Sequence, residues 1–208
     1  MRRAPTFPVL GNHDLLSNSG QWLLDFFYLP PNGPPKLEER HYSFDYGNAH
    51  FVGLDSNPFL AKQGARKAAE TKAIKDWLAR DLAATKQPWK FAYFHHPAYA
   101  SEGEYGGYAT IQTNLMPILE AAGVQLVFVG HEHFYERFRP IHNVHQIITG
   151  AGGQWLYTVK KPAPSSEVVV DYANGFTLVE IHGSRLTLRQ LDDQGRQIDE
   201  FQLALPPR

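Results

Sequence analysis

The sequence predicts an α/β fold, on the strength of three features. Short apolar runs end in clusters of chemically active residues, helical periodicity fills the intervals, and the last third alternates polarity at strand spacing. Thr6–Leu10 is the first run and leads into Gly11-Asn12-His13-Asp14. Trp89–Phe94 leads into His95-His96-Pro97, and Val124–Val129 into Gly130-His131-Glu132-His133. Loops at the carboxyl ends of strands are where open α/β sheets gather ligands.

The remaining elements follow from local pattern. A short helix is expected around Gln21–Tyr28, and Pro30-Pro31-Asn32-Gly33-Pro34-Pro35 reads as an exposed turn. His41–Tyr46 and Ala49–Leu54 alternate in polarity across Gly47-Asn48, the spacing of a hairpin with a two-residue turn. Ile74, Trp77, Leu78 and Leu82 recur at helical spacing within Arg66–Thr85 and face a core. Ile111–Ala122 reads as a helix, and His145–Thr149, Phe176–His182, Leu186–Leu191 and Gln197–Leu203 as a run of mostly antiparallel strands.

Composition narrows the function. With 43% apolar and 13% aromatic content over 208 residues, the chain reads as one domain, 1–208, able to bury a sizeable core. A formal net charge of -1 gives no basic field, so no nucleic acid or anionic membrane is implied. No stretch approaches a membrane helix, and Met1–Pro5 lacks the apolar run of a signal peptide. With no Cys, any metal must be held by His, Asn, Asp or Glu, and 10 His make that option substantial. Imidazole and amide oxygen suit zinc, iron and manganese when several such groups converge. In an extended segment His131 and His133 point the same way. His96 turns to the other side of the strand and reads as a support behind the ligands or as structural; His41, His50, His142, His145 and His182 have no ligand spacing. Thr149-Gly150-Ala151-Gly152-Gly153 lacks the spacing of a dinucleotide loop and reads as a backbone wall beside the site.

These blocks, together with Leu37–Asn48, Val52-Gly53-Leu54-Asp55, Phe94–Pro97 and Gly130–Arg137, resemble the calcineurin-like metallophosphoesterases, and within them the purple-acid-phosphatase-like branch. The resemblance implies a sheet sandwich flanked by helices and metal-dependent hydrolysis of a small-molecule phosphoester by a metal-activated water. It implies two divalent or trivalent ions in the intact protein, with iron, zinc and manganese equally admissible. By the same resemblance Asn12, His95 and His131 hold the second ion and His133 the first, His13 faces the phosphoryl group, and Asp14 orients His13. Glu136 and Arg137 then make an ion pair or hold a loop, and Tyr105 either donates to phosphate or packs. The family's Asp-x-His and Gly-Asp blocks are absent from the sequence, so a domain lacking its amino-terminal strands is expected. The rival expectation is a non-catalytic remnant of the fold acting as a binding module.

Overall fold

The computed structural model describes residues 4–61 and 64–206; Met1–Arg3, on which part of the reading of the amino terminus rests, lie outside them. The first two strands, β1 (Tyr42–Tyr46) and β2 (Ala49–Gly53), form the expected hairpin, with Tyr46 opposite Ala49. Gly47 in the turn takes φ +59°, a left-handed conformation that glycine adopts without a Cβ clash. Next come β3 (Trp89–Tyr93), β4 (Leu126–Val129), β5 (Tyr135–Phe138), β6 (His145–Thr149) and β7 (Ser166–Val170). They join the hairpin in a seven-stranded sheet of order β1-β2-β3-β4-β6-β5-β7. Its centre, β2 to β3 to β4 to β6, is parallel, so four carboxyl ends share one edge. A meander of β8 (Gly175–His182), β9 (Arg185–Asp192) and β10 (Gln197–Ala204) forms a second sheet.

The central strands are covered on both faces, as parallel sheets require. A short α1 (Gln21–Phe26) buries none of its residues, while on one face the short α2 (Asn57–Leu60), the long α3 (Ala65–Ala84) and Ile111, Met116 and Leu119 further along supply the cover. Ile74, Leu78 and Leu82 of α3 belong to one core with Val52, Ala92 and Val127. On the other face Trp89, Phe91, Leu126 and Ile147 meet Leu186 and Leu188 of the small sheet. Each fully buried aliphatic or aromatic side chain contributes about 1.5–3 kcal/mol. Trp89 also fastens the two sheets, because its indole N–H donates to the Gly183 carbonyl at 2.8 Å. Between the sheets a cleft of about 540 Å³, lined by Phe51, Phe128, Phe176 and Val179, reaches His95.

Several expectations need correction. Thr6–Leu10 forms no strand; no described strand pairs with it, and it is tied instead by the Tyr42 hydroxyl donating to the Pro8 carbonyl at 2.6 Å. The helix expected over Ile111–Ala122 is two, α4 (Ala109–Asn114) and α5 (Met116–Ala121), because Pro117 has no N–H to continue the ladder. The proline segment is not wholly exposed, since Pro34 is buried and Trp77 Nε1 donates to the Asn32 carbonyl at 2.7 Å. The strands β5 and β7 were not read from pattern. All four residues of β5 are buried, including Glu136 and Arg137, so it shows no polar alternation. Those two do not pair with each other. Arg137 meets Asp199 at 2.7 Å and also Glu167, while Glu136 accepts from the Ser101 backbone N–H at 2.9 Å.

His50, read as an ordinary histidine, is buried and bridges two carboxylates. Its Nδ1 lies 2.7 Å from Asp45 and its Nε2 2.9 Å from Asp81. Burial by itself lowers its pKa, but the hydrogen bonds and charges of Asp81 and Asp45 outweigh that and raise it above the ordinary value. A raised folded-state pKa stabilises fully below about pH 6.5, the unfolded histidine value, and the contribution fades as pH climbs through the folded value. His50→Gln therefore lowers the melting temperature most near pH 6 and progressively less toward pH 9. Thermal unfolding at several pH values checks this, and an equal deficit at pH 6 and pH 9 contradicts it.

Candidate metal centre

The parallel centre of the large sheet delivers the site. Asp55 and Ser56 follow β2, His95 and His96 follow β3, Gly130–His133 follow β4, and Gly150–Gly153 follow β6, all at one edge. Pairing continues past the strands into these loops: Phe94 N donates to Phe128 O at 3.1 Å, and Gly130 N to His95 O at 3.0 Å. These two bonds bring the backbones that carry His95 and His131 side by side.

Three donor atoms converge there. His95 Nε2 lies 2.8 Å from Asn12 Oδ1 and 3.1 Å from His131 Nδ1. Ligands at zinc distances in a tetrahedral shell stand about 3.3 Å apart, so the spacing fits a cation among them. Gly11 carries the Asn12 loop across the face of His95, where a Cβ would lie 3.0 Å from the ring. His131 adopts φ +69°, the left-handed region, which few non-glycine residues occupy. Its Nε2 is 2.7 Å from the Tyr108 hydroxyl. With Nε2–H donating to that oxygen, Nδ1 keeps its lone pair for the centre.

Electrostatics keep these rings neutral. Burial, reinforced by the neighbouring His131, His13 and His133, lowers the His95 pKa to about 4. Burial, with His133 and His13, lowers that of His131 to about 4. Neutral imidazole is the form that binds a metal.

The other site residues are placed differently from one another. His133 stands beside the trio rather than in it: its Nδ1–H donates to the Trp155 carbonyl at 3.0 Å and its ring stacks on Tyr157 at 4.1 Å. His13 is exposed at the rim, near enough for its charge to act on His95 and His131. Asp14 has another partner than the expected His13: its carboxylate accepts from the Gly11 backbone N–H at 2.8 Å, folding back over one tight turn. His96, expected to turn away, packs its ring 4.6 Å from that of His131, and a ligand atom of His96 lies within 4.8 Å of those of His95 and His131. Its Nδ1 is engaged by the Ser56 hydroxyl at 2.8 Å, and burial lowers its pKa to about 3. Gly150 does form a wall; a Cβ there would lie 1.9 Å from the Glu132 carbonyl oxygen.

Two contributors escaped the sequence reading. One is Tyr108, which nothing in the sequence marks. The other is Glu132, fully buried between the two motif histidines, whose carboxylate accepts backbone N–H groups from Glu104 at 3.2 Å, Tyr105 at 2.7 Å and Gly106. Strand alternation could not have found it, because His131–His133 is not the extended segment expected: His131 takes φ +69° and the stretch bends before β5 begins.

The sequence profile of calcineurin-like phosphoesterases matches residues 1–135. The chain belongs to that family. Metal-dependent phosphoester chemistry is the family's expectation, and acid phosphatases are among its similar members. Rat tartrate-resistant acid phosphatase type 5 is 26% identical over all of this chain and 68% of its own length. Arabidopsis thaliana purple acid phosphatase 23 is 30% identical over 68% of the chain and 31% of its own length. Of solved structures, the purple acid phosphatase from yellow lupin seeds superposes with TM-score 0.72 at 20% identity, over 97% of this chain and 38% of that one. GAP50, the anchor in the inner membrane complex of Plasmodium, superposes with TM-score 0.76 at 20% identity, over 98% of this chain and 67% of that one. At that identity the two structures speak to the fold alone, and they share its helix-flanked sheet layers.

The Glu132 carboxylate predicts its own test. Glu132→Ala strands the N–H groups of the 104–106 loop and lowers stability by roughly 2–4 kcal/mol. Hydrogen exchange at Glu104, Tyr105 and Gly106 accelerates more than at strand amides of β4; uniform acceleration contradicts a local clamp.

Proposed function

We propose that the protein hydrolyses a phosphomonoester or phosphodiester with a metal ion held by Asn12, His95 and His131, while His133 serves a neighbouring ion position. The placement of His95 Nε2 2.8 Å from Asn12 Oδ1 and 3.1 Å from His131 Nδ1 supports this most directly. Such an ion supplies a Lewis acid for the phosphoryl oxygens and lowers the pKa of a water. The chain's own residues supply the rest. Gly11 admits the Asn12 loop against His95, and Tyr108 holds His131 with Nδ1 inward. His13, exposed at the rim, donates a proton to the leaving oxygen. Asp14 fixes the turn that carries His13 by holding Gly11 N–H, rather than by touching the ring. The residues 1–208 act as one domain in this reading.

A binding module on the same fold is the second reading. It is favoured by His133 standing apart from the Asn12, His95 and His131 group, with its Nδ1 engaged by the Trp155 carbonyl at 3.0 Å.

Two measurements decide. Supplied with zinc or manganese, the protein turns over p-nitrophenyl phosphate, and His13→Ala lowers kcat by about 10²–10⁴-fold. Metal and phosphate binding with no turnover gives the second reading instead. In zinc titrations His131→Ala and Gly11→Ala each weaken affinity, by roughly tenfold or more, the first by losing a donor and the second by displacing the His95 ring. Unchanged affinity in both removes the proposed ligand set.

A further inference from the structure

We propose that Tyr105 and Tyr157 form an aromatic subsite beside the metal ligands, which takes a planar ring on the organic part of the substrate; this rests on the phosphoester reading above. Tyr105 is 54% exposed although it is a large aromatic. Looseness does not account for that exposure. Its backbone N–H is held by the buried Glu132 carboxylate at 2.7 Å, and both neighbouring N–H groups by the same carboxylate. The ring is thus presented to solvent by a clamped loop.

What it adjoins gives the exposure a use. The Tyr105 ring centroid lies 4.5 Å from that of His131 and 6.1 Å from that of Tyr157, the latter at an edge-to-face angle of 65°. Tyr157 in turn stacks on His133 at 4.1 Å, with planes 16° apart. Both motif histidines therefore adjoin tyrosine rings, which meet edge to face and form an angled aromatic corner beside them. His133 itself is held in place on this side, its Nδ1–H donating to the Trp155 carbonyl at 3.0 Å.

A phosphoryl group at the ligand trio has its ester substituent within reach of that corner. A planar ring laid there gains the offset or edge-to-face contact that aromatic pairs favour, while an alkyl substituent gains less. The subsite accordingly selects aryl or nucleoside esters over small alkyl esters. Tyr105 touches the ring of the substrate and not the reacting phosphorus, so it is a specificity residue.

The test uses the full chain loaded with zinc and two ligands whose P–C bonds are not hydrolysed, so that binding is read apart from turnover. Calorimetry compares phenylphosphonate with methylphosphonate. We expect phenylphosphonate to bind roughly three- to tenfold tighter. In Tyr105→Ala the ratio falls to about one, and in Tyr105→Phe it persists. Equal affinities in the unmodified protein overturn the subsite while leaving the phosphoester reading intact, and so does a preference that survives Tyr105→Ala. Failure of both phosphonates to bind sinks the phosphoester reading and the subsite with it. Because the Tyr105 side chain is largely in solvent, a melting curve matching the unmodified protein accompanies each variant.

Discussion

The loop that follows β3 is held by buried side chains acting as substitutes for strand partners, and the arrangement of the metal centre depends on it. Between Ala98 and Gly106 the backbone has no regular pairing of its own, yet it lies against the core. Gln146 of β6 accepts from Ala98 and Tyr99 N–H at 2.9 and 3.1 Å. Glu136 of β5 holds both the N–H and the hydroxyl of Ser101, and Glu132 holds the 104–106 stretch. Buried backbone donors left alone are expensive, so each of these side chains satisfies groups that no neighbouring strand reaches. The loop in turn brings Tyr105 and Tyr108 against His131. Removing the buried acids would not merely loosen a loop; it would release the ring that orients a ligand.

Burial of the site is the second determinant. Desolvation is the largest influence on His95, His96 and His131, and each is pushed toward the neutral form. The same histidines crowd together, which adds mutual repulsion against protonation. A cluster of this kind carries its lone pairs inward at neutral pH and gives the centre no net charge of its own. His50 shows the opposite outcome from the same residue type: two carboxylates against its ring overcome burial and favour the cation. Histidine chemistry in this protein is set by neighbours, not by residue identity.

Much of this was legible in the sequence, and the reasons are local. The hairpin across Gly47-Asn48 and the stripe of Ile74, Leu78 and Leu82 rest on short-range periodicity, which tertiary context left alone. The clusters after β3 and β4 stand at strand ends as expected, whereas Gly11–Asp14 follows a segment that forms no strand and still brings Asn12 to His95. What stayed hidden depends on distant partners. β5 is recognisable only once Ser101 and Asp199 are in place to satisfy Glu136 and Arg137. The partner of Asp14 was missed because a carboxylate beside a histidine invites the side-chain reading, whereas the nearer unmet group was a backbone N–H. Thr6–Leu10 has strand composition, and composition cannot supply a neighbour to pair with.

The left-handed backbone of His131 limits what mutation can do at that position. A replacement there must tolerate positive φ and also offer a donor atom at the length of imidazole Nδ1. β-branched and large apolar residues fail the first condition, and glycine fails the second. Asparagine and aspartate meet both, since they accept the left-handed region and carry oxygen donors. Substitutions that keep both the backbone angle and a donor atom are thus confined to exchanging nitrogen for oxygen. Under the proposed ligand set, that exchange would replace an imidazole nitrogen by a harder oxygen donor, which suits manganese or magnesium better than zinc. One backbone angle therefore narrows the residues that can keep a donor atom at this position to a very short list.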